Sequence, residues 1–115
     1  MRTPTTAQME ICRSYGVEPL VPDVEQKLGI ALQTLGRVPL HGLRHIPEHG
    51  TCGWYIWAGE GPGTDPDFFQ PLHIRHIENY CPDCTEFLAL PPGWRYLKAG
   101  TYLDVWFDSD LLIPD

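Results

Sequence analysis

Apolar and polar positions alternate most clearly in the second half of the chain. Across 53–59, Trp54, Ile56 and Ala58 fall on one side and Tyr55 and Trp57 on the other, the two-residue period of a strand. Residues 94–98 and 102–107 are also β-prone and flank Ala99, Gly100 and Thr101, which predicts a hairpin. In that hairpin Leu103, Val105 and Phe107 face the core, and Asp104 and Trp106 look the other way. Pro91, Pro92 and Gly93 force a turn ahead of it. The stretch LHGLRHI at 40–46 reads as a further strand, and Pro47 with Gly50 as the turn that follows.

Helical spacing is clearest at 22–36. Val24, Leu28, Ala31, Leu32 and Leu35 share one face, Pro22 fits a first turn, Asp23 and Glu25 suit the positive helix end, and Gly36 supplies a stop. A shorter helix is expected at about 8–15, ended by Gly16 and preceded by a threonine-rich tail. Pro71 opens another helix that runs to about Tyr80, Pro82 breaks it, and a third short helix fits 82–89. Between the strand at 53–59 and Pro71, the segment GEGPGTDPD at 59–67 is a loop, with Asp65 placed to cap a helical turn at Pro66. The sum is an α+β fold: an antiparallel sheet of about four to five strands with helices packed on one face. A tail at 1–19 carrying the short helix precedes a single domain at 20–115.

Three segments, 53–60, 91–100 and 102–108, hold all four tryptophans, a density that builds a sheet and its core and assembles no obvious active site. The formal net charge is −7. That balance argues against nucleic acid, whose phosphates need clustered lysine and arginine, and suits a basic protein partner. No apolar run approaches the length of a membrane span and the N-terminus lacks the apolar stretch of a secretory signal, so the expected location is the cytoplasm. Nothing in the sequence sets an oligomeric state.

Two constellations carry candidate chemistry. Cys81, Pro82, Asp83 and Cys84 form a CxxC motif, which in a strand-to-helix context would be a redox pair. Here Ile74, Ile77, Cys81, Cys84 and Leu88 recur at three-to-four spacing, so both thiols also read as core residues. His73 and His76 just upstream complete a Cys₂His₂ set of the kind that binds zinc, though the order is reversed and the spacing short. His41, His45 and His49 are further potential ligands. Glu60, Asp65 and Asp67 cluster in one loop, but Ser14 and Ser109 lack the surroundings of a nucleophile. Gly59, Gly61 and Gly63 have acidic flanks and no nearby lysine, unlike a phosphate cradle. No catalytic set and no cofactor are expected. Protein binding remains, with Tyr55 and Trp57 as anchors and Glu60, Asp65, Asp67 and Asp104 supplying negative charge.

The blocks GWYIWAGE, DPDFFQPLHIRHIENYCP, LALPPGWRYLKAG and YLDVWFD, in that order, resemble a bacterial family of polymorphic-toxin systems, immunity protein family thirty-three. The resemblance covers about Gly53 to Asp108. It implies a small cytosolic protein that binds and neutralises a cognate toxin and performs no catalysis. Trp54, Glu60, Gly93, Trp94, Asp104 and Trp106 match as motif positions, mostly structural ones, whereas Cys84 is not part of the pattern. Two other classes stay open: a zinc- or thiol-dependent protein using His73, His76, Cys81 and Cys84, and an interaction domain with no toxin.

Overall fold

Among the described residues, six strands form one sheet: β1 (Lys27–Ile30), β2 (Leu40–Arg44), β3 (Thr51–Ala58), β4 (Gln70–His73), β5 (Trp94–Ala99) and β6 (Tyr102–Phe107). Their order across the sheet is β4-β1-β3-β2-β5-β6. Every neighbouring pair is antiparallel except β1 and β3, which run parallel. The computed structural model describes residues 3–61 and 65–113. Residues 62–64 of the expected loop, Gly63 among them, and the extreme ends of the chain lie outside the described residues. The α+β class holds, but the sheet is mixed and six-stranded, where an antiparallel one of four to five strands was expected.

The difference arises at 22–36. No helix forms there: the segment gives β1 and then a 3-10 turn at Leu32–Thr34. Val24, a member of the expected helical stripe, is half exposed, while Leu28 and Ile30 alternate into the core. The short stretch obeys both periods, and tertiary pairing on both sides decides between them: β1 receives hydrogen bonds from β3 and from β4. Gly29 makes the parallel pairing possible, because a Cβ there would sit 2.7 Å from Cδ1 of Tyr55.

The segment after Pro71 is corrected in the same way. Residues 70–73 are β4, an edge strand where proline is tolerated, and only then does the chain turn through a 3-10 segment, Ile74–His76, into α2 (Ile77–Tyr80). Pro82 stops α2 as expected, and the third helix is a 3-10 segment, Pro82–Phe87. The first helix, α1 (Thr6–Ser14), forms close to its expected place. Thr5 caps it through a reciprocal pair in which Gln8 N–H donates to Thr5 Oγ1 at 3.1 Å and Thr5 N–H donates to Gln8 Oε1 at 3.0 Å.

Helical segments gather on one face of the sheet, where Cys12 from α1, Ile77 from α2 and Cys84 and Phe87 from the 3-10 segment meet Trp54, Ile56 and Tyr96. Phe87 stacks on Tyr96 with ring centroids 4.1 Å apart, and Trp54 donates its indole N–H to the Leu88 carbonyl at 2.9 Å. Arg44 is also buried here, 2% exposed. Its guanidinium donates to the main-chain carbonyls of Cys52 (2.9 Å), Leu20 (2.8 Å), Leu90 (2.9 Å) and Leu88 (3.3 Å). It ties β2, β3 and two connecting segments at one point, and burial pushes its pKa down from the usual arginine value.

Candidate functional site

The sheet face turned away from the helices carries two rows of side chains set by strand register. Gly29, Tyr55, Leu43, Arg95 and Trp106 follow one another across β1, β3, β2, β5 and β6. Trp57, His41, Leu97 and Asp104 form the adjacent row. At about 4.8 Å per strand step, Trp57 and Asp104 stand roughly 14 Å apart. Phe69, just ahead of β4, folds onto the same face and meets Tyr55 and Trp57 edge-on, with centroids 5.2 Å and 6.0 Å away.

Tyr55, His41, Leu43, Leu97 and Trp106 are partly exposed and Asp104 is exposed. Trp57 stands opposite Trp54 as strand alternation expects, but only 8% of it is exposed. Side chains of the same face cover it: His41 stacks on it with centroids 4.7 Å apart and planes within 17°, and Phe69 closes the other side. Its indole N–H has no hydrogen-bond partner among the described residues. Arg95 pairs with Asp108 at 3.0 Å and lies 5.1 Å from the centroid of the Trp106 ring, an ion pair and a cation–π contact at the hairpin side of the face.

Acidic residues are exposed in the segments before and after residues 62–64. Glu60 is exposed just past the end of β3, and Asp65 and Asp67 are exposed shortly ahead of β4. Asp65 caps a short turn at Pro66 as expected: its carboxylate accepts from Asp67 N–H at 2.9 Å, and Phe68 N–H donates to its carbonyl at 3.3 Å. Tyr55, Trp57 and Asp104 thus share one surface, and Asp67 lies two residues ahead of Phe69, which folds onto it. Sequence reasoning passed over Leu43, Leu97 and Phe69, and named His41 only as a potential metal ligand. The alternation of His41 and Leu43 with Gly42 and Arg44 was a signal for two of them; nothing local marked Phe69.

His73, His76, Cys81 and Cys84 are not assembled into a ligand set. His73 ends β4 and His76 lies in the 3-10 segment, so the two are not on one helix, and their ring centroids are 6.4 Å apart. Cys81 and Cys84 are joined by a disulfide, with Cα atoms 5.6 Å apart, and both are buried, along with Ile74, Ile77 and Leu88. Among the described residues no three His, Cys, Asp or Glu side chains lie close enough to hold a metal ion. Cys12 and Cys52 are buried free thiols whose pKa values burial pushes up, away from thiolate chemistry.

His41 makes the face sensitive to pH. Burial, opposed by the Gly59 main chain and reinforced by the charge of Arg95, lowers its pKa from the ordinary 6.5. The unfolded chain takes up a proton near 6.5 that the folded one refuses. The stability owed to neutral His41 is therefore complete above that value and is lost as pH falls from it toward the folded pKa. We expect His41→Gln to flatten the decline in stability just below pH 6.5, read as urea midpoints across that interval; an unchanged slope would remove His41 as its source.

No helix among the described residues is long and apolar enough to cross a membrane. No curated protein and no solved structure matches the chain. A family model described as the Imm33-like domain matches residues 7–108, from α1 through the end of β6 and so across every strand of the sheet. The chain belongs to the Imm33-like domain family.

Proposed function

We propose that this protein is a non-enzymatic immunity protein of the bacterial cytoplasm that binds a cognate, basic toxin domain and neutralises it. The observation that carries the reading is the match of the Imm33-like domain to nearly the whole chain. The outer sheet face supports it as the gripping surface. It offers partly exposed aromatic and aliphatic side chains at its centre, negative charge at its margins and a chain of net charge −7 behind it.

The test is co-expression with the product of the adjacent reading frame. That product alone should arrest growth, and this protein should restore it; arrest that persists overturns the proposal. On the same pair we expect Trp106→Ala to weaken binding by about 30-fold, the effect of truncating a tryptophan anchor. Glu60→Lys should mainly slow association, and more so at low salt. Unchanged affinity in both variants would move the contact off this face.

A second reading, thiol-dependent chemistry at Cys81 and Cys84, has their disulfide in its favour. Against it, Cys84 is fully buried and Cys81 is 7% exposed, so neither sulfur is open to an exchange partner.

A further inference from the structure

The sheet is open and has two edges, β4 and β6. Exposed strand edges template pairing with other chains, and folds usually blunt them. β4 is blunted: it has four residues, and Pro71 among them has no N–H to offer. β6 is not. It has six residues, YLDVWF, with no proline and no lysine, and Asp104 is its one charged residue.

The hairpin register fixes which main-chain groups of β6 point outward. Ala99 pairs with Tyr102 across a two-residue turn, so hydrogen-bonded pairs recur at Leu97 with Asp104 and Arg95 with Trp106. Asp108 N–H donates to the Gly93 carbonyl at 2.7 Å, which continues the same alternation. The N–H and C=O groups of Leu103, Val105 and Phe107 therefore face away from β5. Among the described residues no other strand or loop takes them up.

The side chains of this edge are just as specific. On the helix side Leu103 and Phe107 are 37% and 49% exposed, flanking the buried Val105. On the outer side Asp104 lies between Tyr102 and Trp106, an acid between two aromatic rings. A strand laid beside β6 would place apolar side chains next to Leu103 and Phe107. At alternate positions it would place a cation next to Asp104, within reach of Tyr102 and Trp106. A second copy of this chain fits poorly, because pairing would join two chains of charge −7 with an Asp104 from each near the middle of the shared ladder.

We propose that the free edge of β6 is a strand-docking site for an extended, basic segment of a partner protein that alternates apolar side chains with lysine or arginine. This rests on the reading above that the protein works by holding a basic protein partner, and it names how part of that partner is held.

The test uses peptides of about seven residues, the length of a typical strand: one alternating valine and lysine, one alternating valine and glutamate, and one with the valines and lysines in separate blocks. With the full chain followed by amide NMR, the valine–lysine alternation should slow exchange of the Leu103, Val105 and Phe107 amides and leave those of β4 unchanged. Raising salt should weaken it, and the other two peptides should leave these amides unprotected. Leu103→Pro removes one outward N–H without touching the ladder to β5, and should weaken binding about tenfold, the worth of one hydrogen bond to an affinity. Asp104→Lys alters no main-chain group, and should transfer the preference to the valine–glutamate peptide even if the proline variant fails to fold. Unprotected β6 amides at saturating peptide, shifts confined to Tyr55, Leu43 and Leu97, equal affinity for the lysine and glutamate peptides, or edge protection that depends only on the protein's own concentration would each overturn the docking site. None of these results touches the growth-rescue experiment, so the edge and the neutralising role fail separately.

Discussion

Arg44→Met should lower the stability of this protein by about 3–5 kcal/mol, a large part of the roughly 5–15 kcal/mol that holds a typical domain folded. Arg44 is 2% exposed, and its bonds run to the carbonyls of Cys52, Leu20, Leu88 and Leu90. Methionine fills similar space and avoids burying a charge, which recovers some of the loss. It cannot donate, however, and each buried carbonyl left without a partner costs about 1–3 kcal/mol. Arg44→Lys should fall in between, because an ammonium keeps a charge and three donors but not the planar reach of the guanidinium. Guanidinium chloride unfolding of the three proteins measures this directly. A methionine variant within about 1 kcal/mol of the parent would show that water replaces the lost donors.

The second large effect is expected at Gly53→Ala. Gly53 opens the tryptophan-rich part of β3 with φ +96°, a conformation that L side chains rarely adopt. An added Cβ would run into the main-chain oxygen of His45, and that segment is held in place because His45 N–H donates to the Gly53 carbonyl at 2.8 Å. Strain of about 1–3 kcal/mol adds to an overpacking cost of similar size. The total is about 2–6 kcal/mol. Gly16→Ala is the control, for Gly16 has φ +70° and a methyl group added there would meet nothing within 4 Å. It should lose only about 1 kcal/mol, the conformational part alone. Equal losses at the two sites, read from the same unfolding curves, would mean that the His45 contact relaxes.

Arg44 and Gly53 lie within stretches whose strand character is plain in the sequence, and neither announces its role there. Arg44 occupies an inward position of LHGLRHI, where local patterning treats an arginine as a surface residue that happens to sit on the wrong side. Only the convergence of Leu20, Cys52, Leu88 and Leu90, brought from distant points of the chain, turns it into a buried tie. Trp57 shows the same limit on the candidate site. Alternation placed it opposite Trp54, but its burial depends on His41 from the neighbouring strand and on Phe69 from a distant loop. The helical reading of 22–36 failed for a related reason, since Leu28, Ile30 and Leu32 also satisfy a two-residue period and the pairing of β1 on both sides settled the choice.

By itself the sequence determined the features that depend on near neighbours. These are the first helix, the strands expected at 40–46, 53–59, 94–98 and 102–107 with their glycine and proline turns, the stop at Pro82, the separation of Trp54 from Trp57 and the acidic balance. Each follows from backbone sterics, alternation or charge within a few residues. The tertiary structure alone decided that β1 joins the sheet in parallel, that β4 is a strand, that Cys81 and Cys84 are joined to each other, and that β6 is left with a free edge. Those outcomes depend on which segments lie side by side, and a local pattern carries no record of its partner across the sheet.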